Sequence, residues 1–301
     1  MTTPPSQLIW RRFCQHRLAV VSAVTLILLV FISSGAPLWV SVFDLDGQTV
    51  DLFNRFQPVS AAHPLGTDEL GRDVLARLIE GGRVSLFVGL IAALFASVIG
   101  TTIGLMSGYF GGRIDVVIMR FTDGVISLPL LPLLIVLAAI DLSKLGLPNA
   151  IANSENASLY RISIIVALAG WTTVARLVRA ETLALRERTF VKAAQAQGAT
   201  SGRIMRVHIL PNLAASIIVA TTLSAGNIIL LESVLSFLGL GIQPPVTSWG
   251  NLLTNAQELI WDSPRLAFYP GALIFLTVIA FNFLGDGLRD AIDPKALTSD
   301  K

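Results

Sequence analysis

The chain has 301 residues, of which 53% are hydrophobic and 14% are charged, and its formal net charge is +2. With a mean hydropathy of +0.70, it is more apolar than an ordinary soluble domain, so that class is excluded. We therefore predict an all-α integral membrane protein. Cys14 is the single cysteine, so no intramolecular disulfide can form.

Six stretches of the sequence approach or exceed the roughly 20 apolar residues that a membrane span needs. They run from Leu18 to Phe43, Val84 to Gly112, Val116 to Ile140, Leu159 to Ala175, Ile209 to Leu231, and Leu266 to Gly285. We predict six transmembrane helices. The first stretch follows a basic segment, as a secretory signal does, but it is longer than the apolar part of a signal and has no clear cleavage site. It is interpreted as a retained anchor.

Lys and Arg residues are concentrated in alternate loops. If the N-terminus is cytoplasmic, 15 of the 22 basic residues lie on the cytoplasmic side and the other seven lie outside. This distribution satisfies the positive-inside rule and predicts that both termini are cytoplasmic.

The first predicted external loop extends from Asp44 to Arg83 and is rich in acidic side chains. Within it, Thr67 is a suitable N-cap, and Asp68 and Glu69 would favourably occupy the first helical turn. Apolar residues follow at helical spacing, which predicts a short amphipathic helix at the membrane interface. Direct contact with substrate and a connecting role that shields the next helix both remain open.

The second predicted span carries glycines at four-residue intervals: Gly100, Gly104, Gly108 and Gly112. Such a stripe lets another helix backbone approach closely. We predict a packing surface, with a moving interface or the translocation path as the alternative.

Two prolines, Pro129 and Pro132, interrupt the third predicted span and favour a kink. Near its inner end, Arg120 and Asp123 are spaced to pair on one helix face. The residues from Asp141 to Ser158 lack periodicity and are predicted to form an external loop without an identifiable function.

The longest predicted cytoplasmic segment, residues 176–208, is also the most basic. We predict one helix from Ala180 to Gln195, ended by Gly198, and a second from Gly202 to His208, stopped by Pro211. Small side chains near the junction would let another protein approach this backbone, so the segment is interpreted as a docking surface for a soluble partner.

At these residues the chain resembles the permease subunits of ABC importers, whose cytoplasmic "EAA" signature reads E-A-A-x-x-x-G followed by I-x-x-x-H-I-L-P. The matching residues are Ala193, Ala194, Gly198, Ile204, His208, Ile209, Leu210 and Pro211. Lys192 stands at the acidic position of the signature and reverses its charge. His208 falls on the family's structural histidine, which favours hydrogen bonding at the junction over a pH switch.

Three further segments resemble the "C" permease subunit of dipeptide, oligopeptide and nickel importers: His63–Leu86, Glu232–Gly250 and Leu284–Pro294. The resemblance implies the type I ABC importer permease fold, with six transmembrane helices and cytoplasmic coupling helices, in the bacterial cytoplasmic (inner) membrane. It implies a second homologous permease subunit, two ABC ATPase subunits and an extracytoplasmic substrate-binding protein as partners within the lipid bilayer, and no nucleic acid.

The resemblance also implies two groups of site residues. ATPase coupling is assigned to Val191, Lys192, Ala193, Ala194, Gln195, Gly198, Ala199, Ile204, His208 and Pro211. Contact with the binding protein and the outer gate is assigned to Ser236, Phe237, Leu238, Gly239, Gln243, Pro244 and Trp249. The alternative for this outer segment is a plug against the neighbouring permease, and Glu232 beside it is either buried and paired or solvated.

The sequence carries no phosphate-binding G-x-x-x-x-G-K-[ST] motif. ATP and Mg are therefore expected on the partner ATPase subunits, with no cofactor on this chain. The three histidines are scattered without ligand spacing, so no metal site is predicted. Ser233 and Ser236 have no base at recognisable spacing, and no catalytic residue is predicted.

The predicted organisation follows from these spans. Residues 1–17 form a cytoplasmic segment, 18–43 the anchor helix, 44–83 the external loop with its amphipathic helix, and 291–301 a cytoplasmic tail. Residues 84–290 form the permease core, with five spans, the coupling loop 176–208 and the external loop 232–265.

Import of dipeptides or oligopeptides is the leading functional hypothesis. The alternative is that the same machinery carries nickel or another small solute. The cargo of the binding protein would decide between these two hypotheses. A self-powered secondary carrier would need paired intramembrane charges and internal repeats, and neither is evident. An intramembrane enzyme would need polar catalytic groups in the spans, which are nearly free of ionisable residues. A structural scaffold would leave the docking signature without a purpose.

Overall fold

A computed structural model of the protein describes residues 5–139 and 157–292. Within these ranges the α-helices are α1 (Pro5–Gln15), α2 (Arg17–Ser34), α3 (Ala36–Val42), α4 (Val74–Phe110), α5 (Gly112–Ser127), α6 (Leu130–Ala138), α7 (Ala157–Arg186), α8 (Thr189–Ala196), α9 (Ser201–Arg203), α10 (Leu210–Phe237), α11 (Ala256–Leu259) and α12 (Arg265–Ile292). Two 3₁₀ turns, Leu52–Asn54 and Asn251–Leu253, and a π-helix, Ile204–Ile209, complete the regular structure of these ranges. The all-α prediction is confirmed.

Five continuous helical segments in the described ranges are long and apolar enough to span a membrane: α2, α4, α7, the run from Ser201 through α10, and α12. The pair α5–α6 brings the number to six if it forms one span. The two helices of this pair meet at 86°. The break falls at Leu128 and Pro129, because proline removes a backbone donor and disfavours helical geometry in the residue before it. The predicted kink is therefore a full break at Pro129, while Pro132 lies inside α6.

The anchor predicted as one helix over 18–43 is divided at Gly35. Helix α2 ends at Ser34 and α3 starts at Ala36, with Pro37 in its first turn. Proline is tolerated there because the first helical N–H groups have no partner within the helix.

The separate amphipathic helix predicted from Thr67 is wrong. Asp73 is the actual N-cap, accepting a 2.9 Å hydrogen bond from the backbone N–H of Ala76, and α4 continues from there to Phe110. The Thr67 hydroxyl instead donates to the carbonyl oxygen of Asn54 and accepts from the backbone N–H of Gln57. The predicted boundary at 83–84 therefore lies inside one long helix.

Helices α4 and α7 form the most extensive helix pair, and the glycine stripe explains their close approach. A Cβ atom added to Gly100 or Gly104 would lie 2.6 Å from a carbonyl oxygen of α7, and one added to Gly108 would lie 2.8 Å from another. The fourth glycine of the predicted stripe, Gly112, has no such neighbour within 4 Å and follows the end of α4. The structure thus places three of the four glycines against α7 and leaves Gly112 outside this contact.

The predicted external loop over 141–158 lies mostly outside the described residues. Its last two residues belong to α7, which begins at Ala157 and extends beyond the predicted span to Arg186.

The predicted pairing of Arg120 with Asp123 does not form. Asp123 instead accepts a 2.5 Å hydrogen bond from Arg176 on α7. One helical turn further along α7, Arg179 donates two hydrogen bonds to Asp115. Two ion pairs therefore attach α5 to α7. The pairing predicted from the sequence does not form because a partner on another helix can be closer than one on the same helix face.

Candidate functional site: the coupling segment and the outer loop

Helix α8 follows α7 and precedes α10 in the chain. One of its faces packs against the rest of the protein. Val191 is fully buried and Ala194 is 8% exposed. Both belong to an apolar cluster with Ile204, Ile209 and Leu213. These contacts fix the orientation of α8 on its own chain. Val191, Ala194 and Ile204 therefore pack on the buried side of the predicted coupling surface and do not form its exposed face.

The opposite face of α8 is exposed and carries Lys192, Ala193 and Gln195. The Nζ atom of Lys192 lies 3.1 Å from a carboxylate oxygen of Glu187, and this hydrogen bond holds the pKa of Glu187 below its usual value. Glu187 and Arg188 separate α7 from α8, so the single helix predicted over 180–195 is wrong. A turn at these residues redirects α8 away from the axis of α7.

Gly198 ends the coupling helix in a left-handed conformation, with φ of +80°. Its backbone N–H donates to the carbonyl of Gln195 at 2.9 Å, and that of Ala199 donates to the carbonyl of Ala194 at 3.0 Å. A Cβ atom at Gly198 would meet nothing within 4 Å. Backbone conformation therefore requires the glycine, because side chains disfavour positive φ.

The chain continues from α9 through the π-helix directly into α10, so Pro211 does not stop a helix as predicted. Pro211 lies in the first turn of α10, and the N–H of Leu210 donates to the carbonyl of Met205, five residues earlier. A wider turn accommodates the proline, and such π turns occur often at functional sites. The part of the coupling segment from Ser201 onward and the fifth span are therefore one continuous helical run.

His208 lies on this π-helix and is half-buried. Its carbonyl oxygen accepts a 2.7 Å hydrogen bond from the side-chain amide of Asn212, whereas its ring has no hydrogen-bond partner within 5–139 and 157–292. The hydrogen bond predicted for the His208 side chain is therefore not seen among the described residues, and only the backbone carbonyl of His208 makes a hydrogen bond to a side chain at this junction.

The predicted outer-loop residues separate into a buried and an exposed group. Ser236 and Trp249 are buried, and Phe237 is half-buried. Leu238 is 49% exposed, and Gly239, Gln243 and Pro244 are also exposed. The exposed group is available to a partner, while the buried group determines the shape of the loop.

Glu232 is fully buried below this loop, which decides between the two predicted alternatives. The carboxylate accepts hydrogen bonds from Ser236 at 2.7 Å and from Ser85 of α4 at 3.3 Å. The same two hydroxyls accept from the backbone N–H groups of Ile242 and Trp249, each at 3.1 Å. Glu232 thus organises a hydroxyl network that fixes both ends of the loop.

Two partners of the outer loop were missed by sequence reasoning. The indole N–H of Trp249 donates to the carbonyl oxygen of Leu78 at 2.9 Å, and Ser85 contributes the hydroxyl already described. Both are on α4, more than 160 positions away in sequence. The signal available in the sequence was Trp249 itself. An indole N–H is normally hydrogen-bonded when it is buried, so a tryptophan in this loop indicates a buried acceptor on a neighbouring segment.

The loop between α3 and α4, which is predicted to be external, is held by a buried ion-pair cluster. Asp68 lies 2.8 Å from Arg72 and 2.5 Å from Arg77. Burial alone would raise the pKa of Asp68, but the hydrogen bond from the Arg72 backbone and the charges of Arg77 and Arg72 lower it overall. Nearby, His63 Nδ1 lies 3.0 Å from Asp73 Oδ2. These residues of the His63–Leu86 segment therefore stabilise the loop's own structure.

Sequence comparison places this architecture in a known family. Residues 100–298, more than half of the chain, match the model of the binding-protein-dependent transport system inner membrane component. Residues 4–58 match the N-terminal transmembrane domain of oligopeptide transport permease C. The chain belongs to this permease family. It is thus a multi-pass inner-membrane ABC permease with the type I importer fold.

Relatives of this ABC permease match it over nearly its whole length. The dipeptide transport system permease protein of Alkalihalophilus pseudofirmus is 40% identical over 95% of this chain and 88% of its own. The glutathione transport system permease protein of Pectobacterium atrosepticum is 38% identical, over 95% and 90%. The oligopeptide transport system permease protein of Bacillus subtilis is 37% identical, over 94% and 88%.

Proposed function

We propose that this permease imports dipeptides or oligopeptides as one membrane subunit of an ATP-driven ABC importer. The observation that carries the proposal is the near full-length similarity to relatives named as dipeptide, glutathione and oligopeptide permeases. A second, homologous permease completes the translocation pathway, and an extracytoplasmic binding protein delivers the peptide. ATP and Mg bind to two partner ATPase subunits, and this chain has no cofactor and no catalytic residue.

The exposed face of α8 seats in a cleft of one ATPase subunit. Two observations support this role: buried Val191 and Ala194 fix the helix on its own chain, and the chain continues without a non-helical break from α9 into α10. Movement of the ATPases would then be transmitted mechanically to the fifth span, as in rigid-body switching.

The exposed outer-loop residues, Leu238, Gly239, Gln243 and Pro244, face the binding protein. This assignment puts the outer loop outside and both termini in the cytoplasm, in agreement with the excess of basic residues on that side. The network around Glu232 would keep the loop preformed, which reduces the entropic cost of docking.

The test is co-purification of the permease from its native membrane, identification of the bound proteins, and reconstitution of the recovered complex in proteoliposomes. ATP hydrolysis and uptake are measured with the binding protein loaded with di- or oligopeptides, and with a nickel salt for comparison. Recovery of a second permease and ATPases, with peptide-stimulated hydrolysis, supports the proposal. Stimulation by nickel alone, or transport by the isolated chain, would overturn it.

A charge reversal isolates the docking step. We expect Lys192→Glu to weaken ATPase association and lower stimulated hydrolysis several-fold, because it reverses the charge on the exposed face of α8 and places a second carboxylate next to Glu187. Arg55→Glu is the matched control, since Arg55 is an exposed cation on the opposite, outer side. Equal effects of the two reversals would contradict the docking role of α8.

A further inference from the structure

A groove with a volume of about 760 Å³ lies between α7 and α10. Its polar side chains are Thr173, Glu181, Ser216, Ser224, Asn227 and Arg289. This volume is within the range of natural small-molecule sites. Helix α7 enters the coupling segment and α10 leaves it, so Glu181 and Ser216 lie at the coupling end, while Thr173 and Asn227 lie deeper in the spans.

The neutral polar side chains of the groove lack protein partners. The side chains of Thr173, Ser216, Ser224 and Asn227 make no hydrogen bond to any residue that the structure describes. Polar groups without partners are strongly disfavoured in hydrocarbon. The groove therefore faces water, a solute or another subunit instead of lipid.

Three hydroxyl groups elsewhere on the spans behave differently. Thr102 is exposed and Thr25 and Thr222 are half-buried, and each donates to the carbonyl oxygen four residues earlier at 2.8 to 2.9 Å. This local bond satisfies a hydroxyl donor next to lipid. The buried hydroxyls of Thr101 and Thr182 also have no partner among the described residues, so the groove is distinguished by having four such polar side chains side by side.

The chemistry of the groove points to a ligand that presents uncharged polar groups there. At its middle, Asn227 offers both donors and an acceptor, and Thr173 and Ser224 add hydroxyls. Apolar side chains, including Leu223 and Ile228, alternate with them. The two charged lining residues, Glu181 and Arg289, belong to the helix ends nearest the coupling segment. Amide N–H and C=O groups of a peptide backbone match this neutral middle.

We infer that this groove is one wall of the solute pathway, and that Asn227, with Ser224 and Thr173, hydrogen-bonds the backbone amides of the transported peptide. The inference rests on the proposed function. Recognition of the backbone would let one permease accept peptides of different sequence, because every peptide presents the same amide groups. The second permease would close the groove from the opposite side.

Cysteine accessibility tests the groove in the complete reconstituted importer. Cys14→Ser removes the single natural cysteine of this permease, so that labelling of this subunit reports on the introduced cysteines. Ser216→Cys and Leu231→Cys probe the groove and leave Asn227 in place, since Leu231 also lines the groove and lies one helical turn from Asn227. Ile218→Cys is the matched control for Ser216→Cys, because Ile218 is 53% exposed on another face of α10 only two residues away.

Each variant is treated with a small charged thiol reagent, with and without a transported dipeptide. We expect both groove positions to react at least tenfold faster than Ile218→Cys, and the dipeptide to slow the reaction at Leu231→Cys several-fold. Slow reaction at every position would overturn the inference in favour of a dry subunit interface. Fast reaction without peptide protection would overturn peptide binding at Asn227.

Peptide uptake by the Cys14→Ser background is measured first, so that the two proposals fail separately. If this importer takes up no peptide although it is assembled and hydrolyses ATP, the proposed function fails, whereas reagent access still reports on the groove. If uptake is normal but the groove positions are inaccessible, only the groove assignment fails.

Discussion

The Ser85 hydroxyl lies 3.3 Å from the carboxylate of Glu232 and joins the second span to the fifth at the base of the outer loop. Replacing Glu232 with leucine would leave buried hydroxyls without their acceptor, at a cost of about 1 to 3 kcal/mol each. We expect Glu232→Leu to lower the Tm in detergent and to accelerate proteolysis within residues 238–250. Glu232→Gln retains one carbonyl acceptor and should have a smaller effect.

Glu258→Leu is the control for this prediction, because Glu258 is an exposed acid in the same outer region. It should change neither the Tm nor the cleavage rate. Wild-type proteolysis of Glu232→Leu would show that the hydroxyl network does not hold the loop.

Gly198→Ala should reduce coupling while membrane insertion is retained. The left-handed conformation at Gly198 costs an alanine about 1 kcal/mol or more, so the end of α8 would shift to relieve it. The measurement is peptide uptake per ATP hydrolysed, with the amount of permease in the membrane determined in parallel. Gly198→Asn should be tolerated better, because asparagine adopts positive φ more readily.

Gly202→Ala serves as the matched control. A Cβ atom at Gly202 also meets nothing within 4 Å, and its φ is not in the left-handed range. If the two alanine variants couple equally well, the conformation of Gly198 is not important for transmission.

Gly104→Ala should destabilise the packing of α4 on α7. Its Cβ atom would lie 2.6 Å from the carbonyl oxygen of Ala175, and relieving such overpacking costs about 1 to 3 kcal/mol. We expect a lower Tm for the purified permease. Gly271→Ala in α12 should leave the Tm unchanged or raise it, since nothing lies within 4 Å of its Cβ position. An unchanged Tm for Gly104→Ala would contradict the close helix contact.

Asp68→Asn should destabilise the first external loop at neutral pH by about 3 kcal/mol, because it leaves the charge of buried Arg77 uncompensated. The pKa of Asp68 is lowered in the folded protein, so its stabilising contribution is complete above the ordinary pKa of about 3.9 and is lost as pH falls through the lower folded value.

The difference in Tm between wild type and Asp68→Asn should accordingly be largest near pH 7 and should shrink below about pH 4. Thermal unfolding in detergent across this range measures it. A difference that is independent of pH would show that the Asp68 charge does not stabilise the loop.

The sequence by itself determined the class, the spans and the family of this protein. Apolar length is a local property, so the spans could be counted, and Pro129 marks the break in the third one because proline acts on its own backbone. The coupling signature, residues 193–211, was also legible, since its small residues and its glycine are local requirements.

Only the tertiary structure decided which side chains meet. Asp73, and not Thr67, caps α4, because Thr67 is engaged by Asn54 and Gln57 across the loop. Asp123 pairs with Arg176 on another helix. Hydrogen bonds between distant segments depend on how the helices pack, and helical spacing alone does not contain that information. The same packing buries Val191 and Ala194, leaves Lys192 exposed, and opens the groove beside Asn227.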